Sequence, residues 1–158
     1  MTGHVVIVMG SKGDLDHANK IAAQLAAWEI PSTLRVASAH KSVRHLLDLL
    51  DLYNRGGERI VFITVAGRSN ALSGMVDANS PWPVIACPPV SSAFGGADIY
   101  SSLRMPSGVA PLVVLEPEGA ALAAAKILAV GDPALRAKLA AFQGQMAASI
   151  VEADQSLG

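Results

Sequence analysis

The chain has 158 residues, 51% of them hydrophobic and only 16% charged, with 12 basic and 13 acidic side chains and a net charge of −1. That length bounds it at one domain with a sizeable core. The balanced charge, without a basic run, excludes an electrostatic nucleic-acid face, and no apolar run approaches the roughly 18 residues of a membrane span. The single cysteine, Cys87, excludes an intrachain disulfide and fits a reducing compartment. A first strand that begins almost at residue 4, with no basic stretch ahead of it, does not read as a secretory signal, so a cytoplasmic protein is expected. So few charges also predict surface buried between copies, a homo-oligomer.

His4 to Met9 is a near-continuous apolar run, as in a strand covered on both faces. It ends in Gly10-Ser11-Lys12-Gly13-Asp14, where Asp14 suits the N-cap of a helix striped by Leu15, Ala18, Ile21, Ala22 and Leu25. Pro31 closes that unit. A second strand over about 33–37 leads into Ser38-Ala39-His40-Lys41-Ser42. The spacing of Val43, Leu46, Leu47 and Leu50 then predicts a helix to about residue 54, ended by Gly56-Gly57. Ile60 to Val65 is a third strand. It runs into Ala66-Gly67-Arg68-Ser69-Asn70 and a short helical or irregular piece to about Ala78.

Pro81 and Pro83 impose extended chain before a fourth strand, Val84 to Cys87, which Pro88-Pro89 stops. Residues 90–108 are rich in Ser, Gly and Pro, with a short helix expected near Asp98 to Leu103. A fifth strand spans Leu112 to Leu115, and Pro117-Glu118 opens an alanine-rich helix to about Val130. Asp132-Pro133 caps a last helix, to about residue 152, with Leu135, Leu139, Phe142, Met146 and Ile150 on one stripe.

Five alternations of strand and helix predict an α/β three-layer sandwich, a parallel flavodoxin-like sheet of order 2-1-3-4-5 with a C-terminal helix. The whole chain, 1–158, reads as one domain with a core over about 4–130. Ligands of such sheets sit at the carboxyl ends of the strands near the point where strand order reverses. The turns 10–14, 38–42 and 66–70 are then expected to meet.

Their residue types point to one chemistry. Glycine, serine and a helix start suit a phosphate in the first turn, and Asp14 there is either a cap or a partner for ribose hydroxyls. An imidazole exchanges protons near neutral pH, so His40 is the candidate acid or base, and Lys41 offers a cation beside it. His4, His17 and His45 lie at a strand start or on helix positions that read as structural or solvated. Gly67, Arg68, Ser69 and Asn70 combine a close-approach glycine, a planar cation, a hydroxyl and an amide. No metal-ligand spacing and no nucleophile elbow occurs. The turns therefore predict a small anionic, phosphorylated ligand and one proton-transferring histidine.

Val-Met-Gly-Ser-Lys-Gly-Asp at 8–14, Ser-Ala-His-Lys at 38–41, Val-Ala-Gly-Arg-Ser-Asn at 65–70, Pro-Val-Ile-Ala-Cys-Pro-Pro at 83–89 and Ser-Ser-Leu-Arg-Met-Pro-Ser-Gly at 101–108 occur in order. Together they resemble the PurE family of purine biosynthesis, from about Val5 to Leu128. One branch of that family is a mutase that moves a carboxylate within carboxyaminoimidazole ribonucleotide. The other is a carboxylase that adds carbon dioxide to aminoimidazole ribonucleotide without ATP, biotin or metal. Lys41, Gly67-Arg68-Ser69-Asn70, Cys87-Pro88-Pro89 and Ser102-Leu103-Arg104 are similar to the carboxylase branch, and Ala71 stands where mutases carry a histidine. Gly13 replaces a usual serine, Val43 a usual proline, and Ser73-Gly74-Met75 is closer to the mutase loop.

The resemblance implies the class II carboxylase, with the mutase as the alternative and a non-catalytic nucleotide-binding module as a third reading. It places Gly10, Ser11 and Asp14 on the phosphate and ribose, Ser38 and Ala39 on the base, His40 as the acid/base residue, and Lys41 with residues 67–71, Ala71 included, around the carbon dioxide or carboxylate. It implies aminoimidazole ribonucleotide and carbon dioxide as the small-molecule partners, no cofactor, and a homo-oligomer, commonly an octamer.

Overall fold

A computed structural model describes residues 3–157. Five parallel strands, β1 His4–Met9, β2 Ser32–Val36, β3 Ile60–Val65, β4 Val84–Ala86 and β5 Leu112–Val113, form one sheet in the order β2-β1-β3-β4-β5. This is the expected flavodoxin-like order. β1 is an inner strand of an all-parallel sheet with helices on both faces, and Val5, Val6, Ile7 and Val8 are fully buried.

The pleat then divides the core in two. Val5, Ile7 and Met9, with Val61, Ile63 and Val65, face α1 Leu15–Ala27, α5 Pro117–Ala129 and α6 Pro133–Gln155. Val6, Val8, Ile60 and Phe62 face α2 Val43–Arg55 and α3 Ala71–Ala78. Five alanines of α5, Ala120, Ala121, Ala124, Ala125 and Ala129, are buried. Their small side chains let the helix lie close to both the sheet and α1.

Register fixes where the turns emerge. Met9 is level with Val36 on one side and Val65 on the other. Gly10 N–H continues the ladder to Val65 O at 2.9 Å, and Ala37 N–H to Met9 O at 2.9 Å. The chain therefore leaves β1, β2 and β3 at one height, and strand order reverses about β1.

Two sequence expectations change. β4 ends at Ala86 and β5 holds only Leu112–Val113, because Pro88-Pro89 and the edge position leave little to pair. The short helix expected near Asp98 to Leu103 is present, as a 3₁₀ turn over 97–99 followed by α4 Tyr100–Leu103, and residues 92–94 form a further 3₁₀ turn. The expected stripe of α6 is only half used. Leu135 and Leu139 are buried and Phe142 packs edge-to-face on Trp28 at 5.7 Å, but Met146 and Ile150 are 45% and 71% exposed. Lys138 pairs with Glu29 and ties the start of α6 to the end of α1. No helix among the described residues is long and apolar enough to cross a membrane.

Candidate active site

The turns after β1, β2 and β3 surround a cavity of about 550 Å³. Gly10, Ser11, Asp14, Ser38, Ala39, His40, Lys41, Gly67, Arg68 and Ser69 all line it. Gly13, Ala66 and Pro89, from motifs noted in the sequence, complete the wall with Leu72, Val90 and Ser91, which were not singled out there. Pro88-Pro89 at the end of β4 was the available signal for Val90 and Ser91, since any turn at that end of the sheet adjoins the reversal point. Asn70 and Ala71 instead line a neighbouring cavity of about 430 Å³, beside Met105, Pro106 and Val109.

In the first turn Asp14 stands at the N-cap position of α1, yet its side chain makes no cap bond. Its Oδ2 accepts from Ser11 N at 3.2 Å and Ser11 Oγ at 3.1 Å. The carboxylate thus shapes the turn ahead of the helix and stays on the cavity wall. The N-terminus of α1 opens at the same place, which suits an anion.

Hydroxyls build the second turn. Ser38 N–H donates to Ser42 Oγ at 2.8 Å, Lys41 N–H to Ser38 Oγ at 3.2 Å, and Ser42 N–H to Ser38 O at 2.9 Å. The loop closes on itself and leaves His40 and Lys41 exposed at its tip. Lys41 and Arg68 give the cavity two cations against the single carboxylate of Asp14.

The third turn spends most of its N–H groups internally. Arg68 N–H goes to Asp98 Oδ2, Asn70 N–H to Ser101 Oγ at 3.0 Å and Ala71 N–H to Ser69 O at 3.0 Å. Among the described residues this leaves Gly67 and Ser69 with N–H groups that no protein acceptor takes. Asn70 is 3% exposed; its Oδ1 accepts from Ser73 N and Ser73 Oγ, and its Nδ2 donates to Ser102 Oγ at 2.9 Å. It caps α3 and pins α4. Gly67 has a steric role as well, because a Cβ there would lie 2.6 Å from Pro89 O.

The family model for AIR carboxylase matches residues 4–149, nearly the whole described chain. The chain belongs to the AIR carboxylase family. It is 56% identical over 152 residues to the phosphoribosylaminoimidazole carboxylase of Archaeoglobus fulgidus, covering 96% of this chain and 83% of that protein. The phosphoribosylaminoimidazole carboxylase of Treponema denticola is 46% identical, over 97% of this chain and 96% of its own length. The crystal structure of Treponema denticola PurE superposes with a TM-score of 0.96 at 46% identity, covering 99% of each chain. In the multifunctional protein ADE2 of Gallus gallus the match, 43% identical, spans only 36% of the longer protein.

Within this AIR carboxylase chain the mutase-like triplet 73–75 lies off the larger cavity. Ser73 is fully buried against Thr64 Oγ1 at 2.7 Å, Gly74 faces Met105, and Met75 packs on the α2–α3 core. Behind the first turn, His17 is half-buried rather than solvated, with Nε2 3.3 Å from Cys87 Sγ. Burial, then Lys20, pulls its pKa below the ordinary value. Burial, then Glu116 and Glu118, pushes the Cys87 thiol up to about 12. Cys87 therefore stays a protonated thiol and is no nucleophile.

Proposed function

We propose that this chain carboxylates 5-aminoimidazole ribonucleotide with carbon dioxide, giving 4-carboxy-5-aminoimidazole ribonucleotide, reversibly and without ATP. The observation that carries the reading is the convergence of the Ser11–Asp14, Ser38–Lys41 and Gly67–Ser69 turns on one cavity. The names of the relatives support the same reaction.

The ribonucleotide's phosphate and ribose lie against Ser11, Asp14 and the start of α1, and its base against Ser38 and Ala39. The imidazole is an enamine-like ring whose nucleophilic carbon attacks carbon dioxide. The ring electron pair forms the new carbon–carbon bond, and one carbon–oxygen π pair moves onto oxygen. The ring carbon then bears both a hydrogen and a carboxylate. His40 removes that proton, the carbon–hydrogen pair returns to the ring, and aromaticity is restored. In reverse His40 donates it. Lys41 and the open N–H groups of Gly67 and Ser69 receive the developing carboxylate. Carbon dioxide has too few contacts to be held by affinity, so confinement beside the bound ring supplies the encounter.

The mutase reading loses support from the triplet 73–75, which lies off the cavity, and from Ala71, which has no side chain able to move a proton. Giving the protein each ribonucleotide separately tests the assignment. Product from aminoimidazole ribonucleotide and bicarbonate, without ATP, is expected. Conversion of the N-carboxylated substrate alone would make it a mutase, and binding without turnover a non-catalytic module.

The chain also works as a homo-oligomer, an octamer, in the cytoplasm where phosphorylated ribonucleotides are held. Val130, Ile150 and Tyr100 are 82%, 71% and 69% exposed, and burying them between copies removes apolar surface from water. Light scattering on the purified protein reads the mass directly; a monomer would refute this part.

A further inference from the structure

Asp98, which takes the Arg68 N–H of the third turn, does not line the larger cavity. Its Oδ2 accepts from Arg68 N at 3.3 Å and from Ser91 N at 3.1 Å. Both donors do line the cavity, one from the turn after β3 and the other from the turn after β4. One carboxylate oxygen therefore laces two walls together from outside, with charge-assisted bonds.

The lacing matters because Arg68 is left-handed, with φ 61°. A residue with a Cβ is strained there and stays only when its surroundings hold it. Ser101 Oγ helps, accepting the Asn70 N–H and lying 3.2 Å from Arg68 O. Without the clamp the Arg68 backbone relaxes toward negative φ. That rotation changes the directions of the peptide groups on either side, and with them the N–H groups presented by Gly67 and Ser69.

We propose that Asp98 is a positioning residue for carboxylation. By holding the N–H groups of Arg68 and Ser91 it keeps the third turn left-handed, and so keeps the N–H groups of Gly67 and Ser69 open for the substrate's carboxylate. The identity of that carboxylate rests on the function proposed above; the clamp itself does not.

Asp98→Asn and Asp98→Ala separate this role from a general structural one. Asparagine keeps an acceptor oxygen for both N–H groups and alanine keeps none. In Asp98→Ala, kcat should fall by about 100-fold, the cost of roughly an ångström of misplacement at the reacting group. KM for aminoimidazole ribonucleotide, anchored at the first turn, should change by less than about threefold. Asp98→Asn should stay within about fivefold of wild type in kcat, by the same reasoning. An alanine variant with normal kcat, or an asparagine variant as impaired as alanine, overturns the proposal. Residue-resolved hydrogen exchange on the wild-type protein needs no variant to fold and no activity. The Arg68 and Ser91 amides should exchange slowly and the Gly67 and Ser69 amides fast. Arg68 exchanging as fast as Ser69 overturns the clamp, whereas a wild type that does not carboxylate overturns only the reaction.

Discussion

His17 Nε2 lies 3.3 Å from Cys87 Sγ, joining the first turn of α1 to the chain just past β4. Both groups favour their neutral forms, because burial is the leading cause of each shift. The folded imidazole binds its proton less tightly than the unfolded one, whose ordinary value is 6.5. Below that pH the unfolded chain takes up more protons, so stability falls as pH drops from 6.5 toward the folded pKa. At the other end, the unfolded thiol ionises above its ordinary 9.0 while the folded one holds on to about 12, so stability is also lost as pH rises through that window. Denaturation midpoints measured against pH should show both slopes. His17→Gln should flatten the acid one, and an unchanged acid slope in that variant would remove His17 as its source.

Two glycines of the cavity make opposite predictions. A Cβ on Gly67 would meet the Pro89 carbonyl oxygen at 2.6 Å, a backbone atom that cannot step aside alone. Gly67→Ala should push the third and fourth turns apart, costing about 1–3 kcal/mol of stability and most of the activity. A Cβ on Gly10 would meet Ala66 Cβ at 3.5 Å, an ordinary contact. Gly10→Ala should leave the denaturation midpoint unchanged. Comparing the two midpoints checks the packing directly.

Asn70 should show its importance in stability first. Removing its amide deletes the α3 cap and strands Ser102 in the interior, while Ser73 Oγ keeps Thr64 Oγ1. Asn70→Ala should cost about 2–3 kcal/mol, the sum of a lost cap and an unpaired buried group. Chemical denaturation measures it; a change below about 0.5 kcal/mol would contradict the buried network.

The parts of the fold that carry a period were legible in the sequence. The apolar run at Val5–Val8, the stripe of α2 and the Pro117 and Pro133 helix starts each state their element locally, and five alternations then leave few sheet orders. The outer half of α6 misled, because the stripe through Met146 and Ile150 records an apolar face but not what covers it. In the site, the three converging turns were readable because parallel topology brings strand ends together. The work done by Asn70, Asp98 and Ser101 was not. Short polar side chains reaching about 30 positions along the chain, as Asp98 does to Arg68, leave no periodic trace. His17 was hidden for a similar reason, since its partner Cys87 is 70 residues away.

The proposed carboxylation depends on His40 as the group that moves the ring proton. Its side chain is exposed at the tip of a turn whose shape depends on Ser38 and Ser42, so His40→Asn should fold as the wild type does. The deciding measurement is formation of the carboxylated ribonucleotide from aminoimidazole ribonucleotide and bicarbonate, without ATP, by wild type and His40→Asn side by side. The wild type should make product, and the variant should be slower by at least about 100-fold, the span of a lost general base. No product from the wild type, or equal rates from the two proteins, would contradict it.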